Sequence, residues 1–158
     1  MDFFKSLLQE KYFITGICTI ILVFFIIWAG YKNAPKKRFS MRKIDNMDGI
    51  AFEEFNAYLL RRLGYKAETT KASNDQGIDI VAKKGLKKIA VQTKRYKNKV
   101  GNSAVQQVVA GKKHYNCNKT LVITNNYFTR SAIELAKSNN VELWDRDILK
   151  EKIKKARL

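Results

Sequence analysis

The sequence predicts an α/β domain in which helices cover a mixed β-sheet, with one apolar helix in front of it. Two observations predict this fold. Hairpin-linked strand patterns come first in the domain, and strand patterns then alternate with helix patterns, which is typical of a mixed sheet flanked by helices. An uncharged stretch, residues 13–31, precedes these patterns. At 158 residues, the chain is long enough for one domain of ordinary size and an appendage.

The uncharged stretch is long enough to cross a membrane, since about 20 apolar residues in a helix span a bilayer core. Trp28 and Tyr31 stand at one end of it, where amphipathic rings favour the interface. A cleaved signal peptide and a buried helix are the competing interpretations. The run is longer than the apolar region of about 7–15 residues that signal peptides contain.

We therefore predict a short N-terminal segment at 1–12, a transmembrane helix at 13–31 and a basic juxtamembrane linker at 32–44. A catalytic domain follows at 45–158. Lysines and arginines are more frequent after the span than before it, so the positive-inside bias places this domain in the cytoplasm, at the cell membrane.

The composition points to a polyanionic partner. The formal net charge is +17, and the sequence pI is about 9.9. Such a balance favours nucleic acid or an anionic membrane surface, and a soluble basic surface is the alternative. Two cysteines, Cys18 and Cys117, provide neither a disulfide framework nor zinc-site spacing, which fits a reducing cytosol.

The first half of the domain begins with a helix that Asp48 can cap and that Gly64 ends. A short strand pattern follows, and then a loop rich in turn formers. An apolar run and an alternating run next predict a hairpin around Gly85. These elements lie at residues 48–63 (helix) and at 65–70, 79–83 and 86–95 (strands).

The second half alternates helices with strands. Ser103, Thr129 and Asp145 stand at the predicted starts of its three helices, where their side chains can accept backbone hydrogen bonds. Short β-branched runs separate these helices and predict strands. The predicted elements are 103–115 (helix), 119–124 (strand), 129–139 (helix), 141–144 (strand) and a basic helix from 145.

The predicted hairpin brings together side chains of the types that take part in metal binding and catalysis. Alternation places Gln92 and Lys94 on one face of their strand and Thr93 on the other. Pairing of the two strands can bring Asp79 beside them. A carboxylate, an amide oxygen and an ammonium around one point can hold a divalent cation, an attacking water and a phosphate. From spacing alone, a solvated strand face remains the alternative.

A set of short pieces carries a resemblance that covers residues 47–149. The pieces are GIAFE at 49–53, LGY at 63–65, DQGID at 75–79, VQTK at 91–94, VITN at 122–125 with Phe128, and LWD at 143–145. In these pieces the chain resembles the Mrr-like restriction endonuclease family, within the PD-(D/E)xK nuclease superfamily. The resemblance implies a restriction-endonuclease-like α/β core and a DNA endonuclease that depends on Mg²⁺ or Mn²⁺.

The resemblance also implies roles for single residues. Asp79 corresponds to the metal ligand and Lys94 to the catalytic lysine. Gln92 stands where the wider superfamily has Asp or Glu, and Glu53 matches a glutamate of the first helix that can supply the missing charge to the metal. Asp75 is either a neighbour of the metal or a loop-stabilising residue. The superfamily further implies products with 5′-phosphate and 3′-hydroxyl ends.

Five cations are candidate contacts to DNA phosphates, although each taken singly can be ordinary surface. They are Arg95, Lys97, Lys99, Lys112 and Lys113. The sequence thus predicts a membrane-anchored DNA endonuclease that acts in restriction and defence or in DNA processing. A non-catalytic DNA-binding membrane tether and a module that binds anionic lipid are the alternatives, and a homodimer remains open.

Overall fold

The computed structural model describes residues 2–32, 39–70 and 76–158, and within the first helix it describes the side chains of Tyr12 and of residues 15–29. The chain forms two compact units, Met1–Lys36 and Lys37–Leu158. The first contains helix α1, Asp2–Lys32. The predicted transmembrane residues 13–31 lie within α1, and in the described part of the chain no helix is both long and apolar enough to cross a membrane.

The second unit consists of a five-stranded sheet and five helices within its described residues. The strands are β1 Lys66–Thr69, β2 Ile80–Lys84, β3 Lys87–Lys94, β4 Lys119–Thr124 and β5 Val141–Trp144. The helices are α2 Met41–Asp45, α3 Gly49–Arg62, α4 Asn102–Gly111, α5 Arg130–Ser138 and α6 Arg146–Lys155.

The sheet is mixed, as predicted, and its strands follow the order of the chain. The first three strands form an antiparallel meander, and β2 and β3 are joined by a tight turn in which Gly85 has a φ of 58°. β3, β4 and β5 are parallel, with α4 and α5 as their connections. Parallel strands need such crossovers, so the carboxyl ends of β3, β4 and β5 meet at one edge of the sheet.

Helices cover both faces of the sheet. On one face, α3 and α6 contribute Phe52 and Leu149 to a core with alternate residues of β2, β3 and β4. On the other face, Val105 and Val108 of α4 pack with α5 and with the intervening strand residues, such as Val122. The strand alternation seen in the sequence therefore serves two buried faces rather than one buried and one solvated face.

The structure differs from the sequence interpretation at one helix start and contains one helix that was not predicted. Ser103 does not cap α4, because the helix begins one residue earlier and Gly101 is its N-cap, without a side-chain hydrogen bond. The end of the predicted linker contains α2, whose Ile44 is fully buried in the core. Residues 33–38 of that linker lie outside the described residues. Asp48 and Thr129 cap their helices as predicted.

Candidate active site

Asp79 is fixed by main-chain hydrogen bonds on both sides. It directly precedes β2, and its N–H donates to the carbonyl of Val91 on β3 at 2.9 Å. On the other side, the N–H of Thr70 donates to the carbonyl of Asp79 at 2.9 Å. β2 and β3 are antiparallel, so Asp79 lies beside the carboxyl end of β3. Its side chain is buried, with 7% exposed.

One oxygen of this carboxylate receives a group of donors from β3. Asp79 Oδ2 accepts from Gln92 Nε2 at 2.6 Å, from the Thr93 N–H at 2.6 Å and from Thr93 Oγ1 at 3.0 Å. The predicted proximity of Asp79 and Gln92 is confirmed by this contact. The contact from Thr93 is new, because alternation places that residue on the opposite face and gives no signal for it.

Gln92 is buried and only half satisfied. Its Nε2 also approaches the carbonyl of Thr93 at 3.4 Å, but its Oε1 is buried and accepts no hydrogen bond from the residues that the structure describes. An unsatisfied buried amide oxygen costs about 1–3 kcal/mol, so it needs a compensating partner. The donor set therefore suits a hard cation in its chemistry, since carboxylate and amide oxygens are the ligands that such cations prefer.

Lys94 is the last residue of β3 and is half-buried. Its carbonyl accepts from Thr124 Oγ1 of β4 at 2.7 Å, which fixes the end of the strand. Its ammonium makes no hydrogen bond or ion pair with the described residues. Lys94 thus provides a cation two residues beyond Gln92, as the sequence predicts.

Glu53 lies in α3, directly after the fully buried Phe52, and is half-buried. Across the described ranges, no group of three or more His, Cys, Asp or Glu side chains could hold a metal ion. The participation of Glu53 in a metal site therefore stays a prediction, and Asp75 lies outside the described residues. Asp79 and Gln92 are the predicted ligands that the structure joins directly.

The predicted DNA-binding cations fall into two groups at opposite ends of the parallel strands. Arg95, Lys97 and Lys99 follow the carboxyl end of β3. Lys112 and Lys113 follow the end of α4, near the start of β3 and β4. The carbonyl of Lys112 accepts a hydrogen bond from the N–H of Cys117. The next residue, Asn118, donates its N–H to the carbonyl of Lys88, near the start of β3. The two groups therefore do not form one patch.

A cleft of about 380 Å³ opens at the carboxyl ends of the parallel strands, and we call it the polar cleft. It is lined by residues that follow β3, β4 and β5, together with the last residue of α2. The lining residues are Asp45, Arg95, Tyr96, Lys97, Asn125, Asn126, Tyr127 and Arg146. In open α/β sheets, ligands bind at this edge of the strands.

An ion pair closes one side of the polar cleft. Arg146 donates to both oxygens of Asp45, at 2.8 and 2.9 Å, and Asn125 Nδ2 adds a third hydrogen bond at 3.0 Å. The hydrogen bond from Arg146 holds the pKa of Asp45 below its ordinary value, although burial acts in the opposite direction. The same bond raises the pKa of Arg146. Sequence reasoning did not single out this pair, since Asp45 and Arg146 stand 101 positions apart.

Comparison with known proteins gives one family match and several solved structures. The Mrr_cat family model, described as restriction endonuclease, matches residues 44–153. A protein of unknown function, AF1548, shares 19% identity at a TM-score of 0.53, over 63% of each chain. The DNA modification-dependent restriction endonuclease AspBHI shares 19% identity at a TM-score of 0.58, over 75% of this chain and 34% of its own.

MspJI restriction endonuclease, in complex with a 27-mer oligonucleotide, shares 16% identity at a TM-score of 0.49, over 78% of this chain and 35% of its own. None of the curated proteins matches the chain significantly. At this identity, AF1548 and AspBHI show a common fold. The chain matches less than two thirds of the length of AF1548 and about a third of AspBHI.

Proposed function

The chain belongs to the restriction endonuclease family, and from that premise we propose that it is a metal-dependent endonuclease that hydrolyses phosphodiester bonds of DNA. The observation that carries the proposal is the arrangement at the carboxyl end of β3. There Asp79 and Gln92 are in direct contact, and Lys94 follows two residues later. Within a nuclease domain, a carboxylate and an amide oxygen can hold a metal ion, and an ammonium can stabilise charge on a phosphate.

Mg²⁺ or Mn²⁺ is the proposed cofactor, with Asp79 and Gln92 Oε1 as the groups that would hold it and Glu53 as a further ligand. When bound, such an ion polarises a phosphate oxygen and makes a bound water more acidic. The three hydrogen bonds on Asp79 Oδ2 hold the carboxylate in one orientation before any ligand arrives. This rigidity supports the proposal, since a pre-organised site loses less entropy on binding.

Lys94 is the proposed catalytic cation. Its ammonium makes no bond to the described residues, so it is available to a substrate phosphate and an attacking water. A positive charge at this position stabilises the negative charge that develops on phosphorus oxygens during in-line attack. Its half-buried location strengthens that interaction relative to bulk water.

Plasmid cleavage tests this proposal. The full chain, purified in mild detergent, is incubated with supercoiled plasmid and Mg²⁺ or Mn²⁺, alongside variants Asp79→Asn and Lys94→Met. We expect cleavage by the wild type and a loss of about a hundredfold or more in each variant. Lys150→Met, which removes an exposed cation from α6, is the matched control and should cleave normally. Intact plasmid with every metal would contradict the nuclease, and normal cleavage by both site variants would contradict the site.

The competing function is a DNA tether that binds without cleavage, and the same samples distinguish it. Salt-sensitive binding of DNA without any product would favour the tether, because neutralised phosphates make affinity fall with salt. A module for anionic lipid would instead bind vesicles and show no preference for DNA. The net charge of +17 supports a polyanionic partner without choosing between these classes.

Membrane anchoring with a cytoplasmic domain is part of the proposed function, and only the sequence supports it. Residues 13–31 carry no charge, and the following residues are rich in cations. A reporter fused to the C-terminus, active only in the cytoplasm, tests the orientation. Membrane fractionation of the full chain tests the anchor, and complete recovery in the soluble fraction would exclude it.

A further inference from the structure

Arg95, which directly follows Lys94, is a half-buried cation. Within the described residues it makes no hydrogen bond and no ion pair, and its Nε is buried without a partner. Burying a charged donor without an acceptor costs free energy. A guanidinium stays charged at any ordinary pH, so it cannot avoid this cost by losing a proton. Among the described residues, the guanidinium of Arg95 therefore has no hydrogen-bond acceptor.

Both oxygens of Asp45, the carboxylate of the polar cleft, already accept hydrogen bonds. Asp45 uses both oxygens for Arg146 and accepts a further hydrogen bond from Asn125. Among the lining residues this one carboxylate faces three cations, Arg95, Lys97 and Arg146, and it forms its ion-pair hydrogen bonds with Arg146. The cleft thus keeps a positive charge that suits an anion.

The loop that carries Arg95 is held in place by two asparagines at the end of β4. The N–H of Tyr96 donates to Asn125 Oδ1 at 2.9 Å, and Asn126 Nδ2 donates to the carbonyl of Lys97 at 2.8 Å. Asn125 is itself buried and bonded to Asp45. The Asp45–Arg146 pair thus supports the asparagines, and the asparagines fix the backbone on the C-terminal side of Arg95.

We propose that the polar cleft binds a backbone phosphate of the DNA substrate, with Arg95 as the direct ligand and the Asp45–Arg146 pair as a positioning element. This inference rests on the proposed function, since Lys94 would bring the DNA to the same edge of the sheet. A volume of about 380 Å³ is ample for a phosphodiester and part of its sugar. A planar guanidinium can bind two phosphate oxygens at once, which a lysine at this position could not do.

The decisive measurement is equilibrium DNA binding without cleavage. The full chain carrying Asp79→Asn is titrated into a labelled duplex in EDTA, at several salt concentrations, with and without Arg95→Gln. We expect Arg95→Gln to weaken binding about tenfold or more and to reduce the slope of log affinity against log salt by about one, as loss of one phosphate contact requires. Arg95→Lys, which keeps the charge, should restore the slope and only part of the affinity.

Arg130→Gln is the matched control, because Arg130 is exposed on α5, paired with Glu134 and absent from the cleft lining. It should leave affinity and slope nearly unchanged. An equal effect of the two substitutions would assign the loss to net charge and overturn the proposal, as would unchanged binding by Arg95→Gln. Circular dichroism of each variant confirms that it is folded.

A second arm separates DNA phosphate from a free anion. Inorganic phosphate and a mononucleotide are titrated calorimetrically into the same chain. Millimolar or weaker binding supports a subsite that works only as part of a longer DNA contact. Submillimolar binding that Arg95→Gln abolishes would make the cleft a small-anion site and overturn the proposal. Because no step requires cleavage, failure of the nuclease proposal would remain distinguishable from failure of this one.

Discussion

The ion pair between Asp45 and Arg146 should contribute about 2 kcal/mol to stability, and Asp45→Asn removes it with little change of shape. Each side chain is 32% exposed, and the pair is bidentate. Breaking a fully buried pair costs about 3–5 kcal/mol, whereas an exposed pair contributes about 0–1 kcal/mol. A pair exposed by a third falls between these limits. In Asp45→Asn, one of the two acceptor oxygens becomes an NH₂ donor. That donor then faces a donor of Arg146 or of Asn125, which adds to the loss.

The effect must depend on pH in a defined direction. Because the pKa of Asp45 is lowered in the folded chain, its contribution is complete above the unfolded-state pKa of about 3.9 and is lost as the pH falls through the folded value. Urea unfolding, followed by circular dichroism, should therefore show a difference of about 2 kcal/mol between wild type and variant at pH 7, and a progressively smaller one as the pH falls below the unfolded-state pKa of about 3.9.

The matched control is Glu134→Gln, which breaks the ion pair with Arg130 at sites that are 66% and 93% exposed. That substitution should cost about 0.5 kcal/mol or less at pH 7. The reasoning would be refuted by a difference for Asp45→Asn that is as small as this control. A difference between wild type and Asp45→Asn that does not shrink as the pH falls below about 3.9 would equally refute it, because the carboxylate charge would then contribute nothing.

Three further substitutions test the fold and the site. Gly111→Ala should cost about 1–3 kcal/mol in urea unfolding, since a Cβ there would lie 2.5 Å from the carbonyl oxygen of Gln76. Leu149→Ala should cost about 2–5 kcal/mol in the same assay, because the side chain is fully buried between α6 and the sheet. Gln92→Glu should lower the melting temperature in EDTA through repulsion of Asp79, and Mg²⁺ should raise it more than in the wild type.

Most of the fold of the second unit follows from local patterns in the sequence. Each local signal determines one short segment without help from distant residues. These signals are the helix caps at Asp48 and Thr129, the turn at Gly85 and the β-branched runs. The mixed sheet follows from the order of these segments. Helix α4 begins earlier than predicted because its N-cap is Gly101. A glycine can occupy the N-cap position without a side-chain hydrogen bond, so it gives no capping signal in the sequence.

The polar cleft could not be predicted in this way, because long-range contacts create it. Asp45 and Arg146 come from α2 and α6, and each taken alone resembles an ordinary surface residue. In the sequence, Asn125 and Asn126 only follow a predicted strand, whereas in the structure they connect the ends of two parallel strands. Spacing within a segment carries no information about such partners, and only the register of β3 and β4 brings them together.

An amide at position 92 allows the centre to assemble before any cation is present. Gln92 donates to Asp79 at 2.6 Å, whereas a glutamate would place two carboxylates at that distance, and one of them would have to take up a proton. The amide avoids that repulsion, but it brings one negative charge fewer to a cation. Its buried Oε1, which accepts no hydrogen bond from the described residues, favours a cation in compensation. In the proposed metal site, one negative charge fewer would weaken metal binding, so we expect plasmid cleavage to keep rising with Mg²⁺ concentration well above trace levels.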